Sequence, residues 1–259
     1  MMNLQSRAAA LLIELKQEFG AVGVKADFEA EGTGLEELVF LSRIVSMVGL
    51  NLVVKVGGCE AMFDLKQAKL FGASAIMVPA VESVFGLKKF CSAVERVFGV
   101  DLNFINLILN VETKTCVENL EQILSFGASF LNAIVIGRVD LSSSLNLSRN
   151  EIDSDLIFNE CLKICMLGSK YGLLVGLGGG VSAKTYDFFL KRAHFDRFET
   201  RKVVFKNEHG NESLFKRAIY KATEFELLCL EFKNKFFNRL AREDEKRLEL
   251  LKKRLKEVN

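Results

Sequence analysis

The feature that most constrains the fold of this chain is an alternation of short apolar runs with stretches of helical periodicity, between about residues 20 and 205. The apolar runs are continuous, as in strands that are covered on both faces of a parallel sheet. Strands that alternate with helices indicate right-handed crossovers, and their sequential order favours a closed barrel over a doubly wound sheet. The predicted strands are residues 22–26, 52–56, 75–79, 104–111, 131–136, 173–177 and 198–205.

This pattern contains seven strands, whereas a complete TIM-type barrel has eight. Either one strand escapes the pattern, or the barrel is incomplete and another segment closes it. A length of 259 residues suits one such barrel or two smaller domains. We therefore predict an α/β fold, a TIM-like (β/α) barrel over residues 1–210, with its eighth strand undecided and a C-terminal helical extension over residues 211–259.

The C-terminal extension has no strand pattern, and its apolar residues recur every three or four positions. Oppositely charged residues such as Glu249 and Lys253 can also meet across one helical turn. The pattern predicts an amphipathic helix that either packs on its own barrel or is exchanged between subunits. We expect a homo-oligomer assembled through these C-terminal helices.

The overall composition excludes several kinds of partner. A formal net charge of +2 gives no basis for binding nucleic acid or a charged membrane surface, and no apolar stretch approaches a membrane span. The six cysteines form no CxxC pair, which is typical of reduced thiols in a cytoplasmic protein. We expect the partner to be a small anionic metabolite.

Two carboxylates, Glu112 and Asp140, stand where a buried apolar strand gives way to polar residues. Acids at the carboxyl ends of two barrel strands would meet at the mouth, where catalytic groups of such barrels collect. Two oxygen ligands, with room for water and substrate, suit an ion such as Mg²⁺. With only two histidines in the chain, a His-rich zinc or iron site is improbable, and proton transfer would fall to other groups. We predict a Mg²⁺ or Mn²⁺ site on these two acids.

Acidic residues also follow the first predicted strand. Asp27 or Glu29 is a candidate general base, and a solvated acidic loop is the alternative. The glycine run 178–180 could expose backbone amides to a phosphate, although such turns are common after barrel strands. Ser142 opens a serine run after Asp140 that would line the pocket, cap a helix or form a flexible loop.

The last predicted strand carries charges within an apolar run. Glu199, Arg201 and Lys202 must be paired or must face a site, because an unpaired buried charge is costly. We favour the interpretation in which they reach the mouth and bind an anionic substrate. An ion pair that closes the end of the barrel is the alternative.

Three motifs together resemble the HpcH/HpaI aldolase and citrate lyase β-subunit family. The first is Leu-Asn-Val-Glu-Thr-Lys at 109–114 with Val-Glu-Asn-Leu at 117–120, and the second is Ile-Gly-Arg-Val-Asp-Leu-Ser at 136–142. The third joins Lys-Leu-Phe-Gly-Ala at 69–73 to the segment 76–83. Each motif is weak alone, but the ordered match extends over roughly residues 20–178.

The resemblance implies a TIM-barrel lyase that handles pyruvate, another 2-keto acid or an acyl-CoA enolate. It implies that Glu112 and Asp140 hold Mg²⁺ or another divalent ion, which stabilises an enolate as a carbon–carbon bond breaks or forms. The backbone amides of Val139 and Asp140 would face the substrate carboxylate. A cation beside a developing enolate lowers its energy, which agrees with the reading of the two acids given above.

Three residues depart from the family pattern. Lys55 stands in place of an arginine, Ala30 in place of the histidine that serves as base, and Arg138 in place of the motif proline. Lys55 and Arg138 would neutralise the substrate anion, and Asp27 or Glu29 would relay the proton. The leading expectation is a divalent-metal-dependent carbon–carbon lyase. The alternatives are a barrel acting on a CoA thioester or phosphoenolpyruvate-type substrate, or a non-catalytic metabolite-binding or scaffold subunit.

Overall fold

The computed structural model describes residues 3–207 and 211–257, apart from the side chains of residues 240, 243, 250 and 252–257. Eight strands form a closed barrel in sequential order, so the prediction of a TIM-like barrel is confirmed. The strands are β1 (Ala21–Asp27), β2 (Asn51–Lys55), β3 (Ala75–Val78), β4 (Asn106–Val111), β5 (Ala133–Gly137), β6 (Leu174–Gly178), β7 (Arg197–Glu199) and β8 (Val203–Lys206). The helices are α1 (Leu4–Phe19), α2 (Leu35–Val48), α3 (Met62–Leu70), α4 (Val84–Phe98), α5 (Lys114–Gly127), α6 (Arg138–Ser144), α7 (Asp155–Lys170) and α8 (Glu212–Glu257).

The barrel closes with a hairpin rather than with a final crossover. Strands β1 to β7 pair in parallel, whereas β8 is antiparallel to both β7 and β1. Of the two alternatives left open by the count of seven strands, the strand that escapes the pattern is the correct one, because the predicted strand at 198–205 is two short strands joined at Thr200–Lys202. The Thr200 amide donates to the Val203 carbonyl oxygen at 2.9 Å, which closes this turn. The two strands have only three and four residues, which is too short for a recognisable apolar pattern, so the sequence does not show where one strand ends and the next begins.

Two segments around the barrel mouth depart from a simple alternation of strands and regular helices. A five-residue π-helix, Tyr186–Leu190, follows the glycine run at 178–180 and β6. The segment 142–154 includes the end of α6 and a 3₁₀ turn, Arg149–Glu151. Helix α6 begins directly after β5, which moves Asp140 from a strand end into the first turn of a helix.

The barrel interior is apolar along most of the strands and polar at their carboxyl ends. Its apolar cluster is formed by apolar side chains that face inward, because strand side chains alternate between the two faces of the sheet. The cluster comprises Val53, Ala75, Met77, Ile108, Ala133, Val135 and Val204. Towards the carboxyl ends of the strands, charged residues such as Asp27, Lys55 and Glu199 replace them. This change of polarity places the functional groups at the mouth.

Helix α8 has two parts with different surroundings. Its first part packs beside α1 and contributes Phe215, Phe225 and Leu228 to the same core as the barrel helices. From residue 237 to residue 251, every side chain that the structure describes is exposed. Across residues 3–207 and 211–257, the helices lack an apolar stretch long enough to cross a membrane.

Candidate active site

A cavity of about 460 Å³ opens at the mouth of the barrel. Most of the residues proposed from sequence converge on it, from the ends of four strands, the β7–β8 turn and the start of α6. Those lining it are Asp27, Lys55, Glu112, Val139, Asp140, Glu199 and Arg201, and two further cations, Lys25 and Arg149, join them. Four proposed residues do not line it: Glu29, Arg138, Ser142 and Lys202.

Glu112 follows the last residue of β4 and is only 6% exposed. Its Oε2 accepts hydrogen bonds from Asn110 Nδ2 and, at 3.4 Å, from Lys55 Nζ, and its Oε1 accepts one from the Ala80 amide at 3.2 Å. Ala80 has a left-handed φ of +52°, a conformation that L side chains rarely adopt. The chain turns sharply after Pro79 and directs this amide at the carboxylate, so the orientation of Glu112 is fixed by three donors.

Asp140 reaches the same cavity because α6 starts close to Glu112. A Cβ atom added to Gly137, which precedes α6, would lie 2.8 Å from Glu112 Cβ, so only glycine allows this approach. Burial raises the pKa of Glu112; the Lys55 ammonium opposes this, and the negative charge of Asp140 adds to it. The net effect is a raised pKa. The two carboxylates therefore repel each other electrostatically, and a cation bound between them would relieve this repulsion.

Lys55, the last residue of β2, lies between two acids of the site. Its Nζ is 3.4 Å from Glu112 Oε2 and 3.8 Å from Asp27 Oδ2. Asp27 Oδ1 is occupied by the amides of Glu29 and Ala30, at 3.0 and 2.9 Å. The ammonium of Lys55 and the second oxygen of Asp27 thus remain directed at the cavity.

Lys25 is a cavity residue that the sequence analysis missed. It lies two positions before Asp27 on β1, on the same inward face, and its Nζ forms an ion pair with Glu199. Burial by itself would lower the pKa of Lys25, but the charge of Glu199 and its hydrogen bond prevail, and the pKa is raised. A charge inside an apolar strand was the signal used for Glu199, and the same signal was available at Lys25.

Arg138 is displaced from the position predicted for it beside the acids. Its side chain is fully buried, and it donates from Nε to the Gly178 carbonyl at 3.0 Å and from Nη1 to Asp153 Oδ1 at 2.7 Å. Its Nη2 also donates to Thr185 Oγ1 at 3.3 Å, and its guanidinium lies over the Phe189 ring. As the first residue of α6, it projects away from the cavity. The prediction that Arg138 helps to neutralise the substrate anion is therefore wrong.

Ser142 is also misplaced by the sequence prediction. It is 1% exposed, and its hydroxyl donates to the Arg138 carbonyl one turn earlier in α6, at 2.7 Å. This back-bonding within a helix is a common use of serine hydroxyls. The predicted pocket-lining position is wrong because the segment forms a helix and not an open loop.

Most of the remaining charged residues that were predicted to bind substrate or relay a proton form ion pairs with other residues of the protein. Arg201 and Lys202 both contact the carboxylate of Glu31, the former at 3.0 Å, which matches the ion-pair alternative. Of these two, only Arg201 lines the cavity. Glu29 is exposed, and its side chain lies against Gly57, where an added Cβ would be 2.5 Å from its Oε1. Its position as a proton relay inside the cavity is therefore not supported.

A model of the HpcH/HpaI aldolase/citrate lyase family matches residues 33–175, which is more than half of the chain. The chain belongs to this family. No curated protein sequence matches it significantly. The match includes Lys55, Glu112, Arg138 and Asp140, whereas Asp27 and the β7–β8 hairpin lie outside it.

Solved structures of family proteins share the fold of this family member at low sequence identity. An HpcH/HpaI aldolase from Desulfitobacterium hafniense DCB-2 aligns with a TM-score of 0.61 and 15% identity, over 74% of this chain and 82% of that one. A family protein from Burkholderia cenocepacia J2315 aligns with a TM-score of 0.58 and 19% identity, over 76% of this chain and 82% of that one. A citrate lyase from Burkholderia xenovorans LB400 aligns with a TM-score of 0.59 and 15% identity, over 88% of this chain and 79% of that one. At these identities the likeness concerns the fold alone.

The donor set at the mouth suits the divalent ion that this family implies. Among residues 3–207 and 211–257, no three His, Cys, Asp or Glu side chains cluster to hold a metal. Mg²⁺ does not require such a cluster, since one or two carboxylates with water and substrate oxygens complete its shell. Glu112 and Asp140 are oxygen donors on one cavity, and the raised pKa of Glu112 marks a place where a cation is favourable. The residues therefore fit the ion.

Proposed function

We propose that this protein is a divalent-metal-dependent carbon–carbon lyase that acts on a 2-keto acid. The observation that carries the proposal is the meeting of Glu112 and Asp140 at one barrel-mouth cavity, beside the ammonium of Lys55. Family membership supports the reaction class. A divalent ion held by these two acids would supply Lewis acidity towards the keto and carboxylate oxygens and so favour an enolate.

The chain's own residues would orient the substrate by charge and by hydrogen bonding. Lys55 neutralises a substrate carboxylate, as a point charge without the paired donors of an arginine. The first amides of a helix have no partner within the helix, so those of Val139 and Asp140 in α6 are available to the same group. Three of the four cavity cations are paired with cavity acids, which limits non-specific anion binding.

Asp27 is the residue best placed to exchange the proton. Because its Oδ1 accepts two backbone amides, its Oδ2, 3.8 Å from Lys55 Nζ, is the basic atom that remains. Ala30 supplies no acid–base group, so Asp27 must act without the histidine that the family resemblance assigns to this position. We propose a slower proton transfer than a histidine would give, with Lys55 holding the carboxylate in place.

Exchange of solvent deuterium into the methyl group of pyruvate tests the proposed chemistry. With Mg²⁺ or Mn²⁺ present, we expect the protein to catalyse this exchange, because the pyruvate enolate is formed by loss of a methyl proton before condensation and takes up a proton after cleavage. Proton NMR of pyruvate in D₂O measures it, with chelated protein as the control. Lack of exchange with pyruvate and 2-ketobutyrate would favour a binding role or a different substrate class.

We also propose that the exposed end of α8 joins two copies of the chain. The part beyond Asn238 runs for about 30 Å at the rise of an α-helix. It carries exposed Leu248 and Leu251, at 55% and 39% exposure, and Phe237, at 48% exposure, lies just before it. Most of the stability of a helix in a protein comes from packing of its amphipathic face, so a helical stretch without such packing gains from a partner helix.

Truncation after Asn238 is expected to convert an oligomer into a monomer without unfolding the barrel. Removal from residue 211 onward would instead delete Phe215 and Phe225, each worth roughly 2–3 kcal/mol of buried apolar surface. Analytical ultracentrifugation measures the change in mass, and Leu248→Glu with Leu251→Glu in the full chain should reproduce it. Lys246→Gln serves as the control, and an oligomer that survives both changes would contradict the proposal.

A further inference from the structure

Arg149 differs from the other cations that line the cavity. Lys25, Lys55 and Arg201 each contact a carboxylate, whereas no carboxylate among the described residues pairs with Arg149. Its side chain is exposed at the rim, in the short turn Arg149–Glu151 that follows α6. It is therefore the cavity's uncompensated positive charge within the part of the chain that the structure describes.

The acids nearest to Arg149 in sequence are engaged elsewhere. Glu151 accepts hydrogen bonds from the amide and the hydroxyl of Ser148, both at 2.8 Å, and these bonds lower its pKa. Asp153 pairs with the buried guanidinium of Arg138 at 2.7 Å. Both contacts leave Arg149 free to face the cavity.

The segment that carries Arg149 is anchored at the mouth. The Arg138–Asp153 ion pair holds its end, and Ile152 packs against Gly180 so closely that an added Cβ would lie 2.8 Å from Ile152 Cδ1. Gly180 has a φ of +70°, which favours glycine there independently. A fixed turn presents the guanidinium with a smaller entropic cost of ordering when a ligand binds.

We propose that Arg149 binds a second anionic group of the substrate, so that the site prefers 2-keto acids with a distal carboxylate or phosphate. This inference rests on the proposed function and specifies its substrate class. One end of the substrate meets Glu112, Asp140 and Lys55, and the other extends towards the α6 side of the mouth. The fork of guanidinium donors matches either anion in a bidentate manner. A monoanionic 2-keto acid would leave Arg149 without a partner.

Matched pairs of ligands test this preference by calorimetry in the presence of Mg²⁺. The first pair is 2-oxoglutarate and 2-ketovalerate, which differ in the distal carboxylate, and the second is oxaloacetate and 2-ketobutyrate. We expect the wild-type protein to bind the dianion of a pair about 5- to 10-fold more tightly, as for one charge-assisted contact at an exposed rim. A comparison of 3-phosphonopyruvate with oxaloacetate separates a phosphate-type preference from a carboxylate preference.

Arg149→Ala should remove the preference and leave the affinity for the monoanion within about twofold, because the contact is made only by the distal group. Arg149→Lys should keep part of it, and Arg43→Ala, an exposed arginine on α2, should keep all of it. Equal affinity for both members of each pair, or a preference that survives Arg149→Ala, overturns the inference while the proposed function stands. Failure of every 2-keto acid to bind removes both.

Discussion

Replacing Glu112 with glutamine and Asp140 with asparagine is expected to abolish the rise in melting temperature that Mg²⁺ or Mn²⁺ produces in the wild-type protein. Both substitutions keep the size of the side chain and remove the charge that a hard divalent ion requires. An ion at 100 times its dissociation constant stabilises the folded state by about 2.7 kcal/mol, or roughly 5–10 °C for a domain of this size. Thermal unfolding with and without each ion measures the difference.

Loss of the fold is not expected to imitate this result. Burial and Asp140 already raise the pKa of Glu112, so its charge is unfavourable in the folded, ion-free protein and its neutralisation relieves that cost. Glu118→Gln with Asp101→Asn, two exposed acids away from the cavity, provides the matched control and should retain the full response. An undiminished response in the Glu112/Asp140 variant would show that the ion binds elsewhere.

Replacing Arg138 with methionine is expected to destabilise the protein by about 3–5 kcal/mol, the usual cost of removing one partner of a buried ion pair. The change leaves Asp153 without its cation and the Gly178 carbonyl without its donor. It also removes the guanidinium from the face of Phe189, at 4.4 Å from the ring centroid. Equilibrium unfolding in urea measures the change in the free energy of unfolding.

Arg149→Met provides the comparison, since Arg149 is exposed and unpaired among the described residues. Its effect on stability should stay within about 0.5 kcal/mol, as for surface substitutions in general. Asp153→Asn should reproduce much of the loss seen in Arg138→Met, because both break the same pair. A loss below about 1 kcal/mol in Arg138→Met would contradict a structural role for this arginine.

The barrel was predictable because its strands carry a strong local signal. Continuous apolar runs such as 75–78 and 133–137 suit strands that are buried on both faces, and the helices between them force parallel pairing. The β7–β8 hairpin was not predictable in this way. Each of its strands is too short for a period, and the charges of Arg201 and Lys202 lie in the turn between them.

The two central acids were predictable because a parallel barrel brings all of its strand ends to one rim. Glu112 and Asp140 are 28 positions apart in the numbering, so this topology alone accounts for their meeting. Directions of side chains were not predictable. Arg138 and Val139 are adjacent at the start of α6, yet one faces the protein interior and the other faces the cavity.

The sequence by itself determined the class of fold, the rim at which polar groups collect and the acids that could hold an ion. These depend on periodicity and on residue type at strand ends, which are local properties of the chain. Tertiary structure decided which charges are free and which are paired. Lys25 on β1 meets Glu199 on β7, Arg138 meets Asp153, and Arg149 is left unpaired among the described residues. Pairing depends on the distances between segments and on the direction of each side chain, and these are fixed only when the strands and the helices that follow them have packed into the closed barrel.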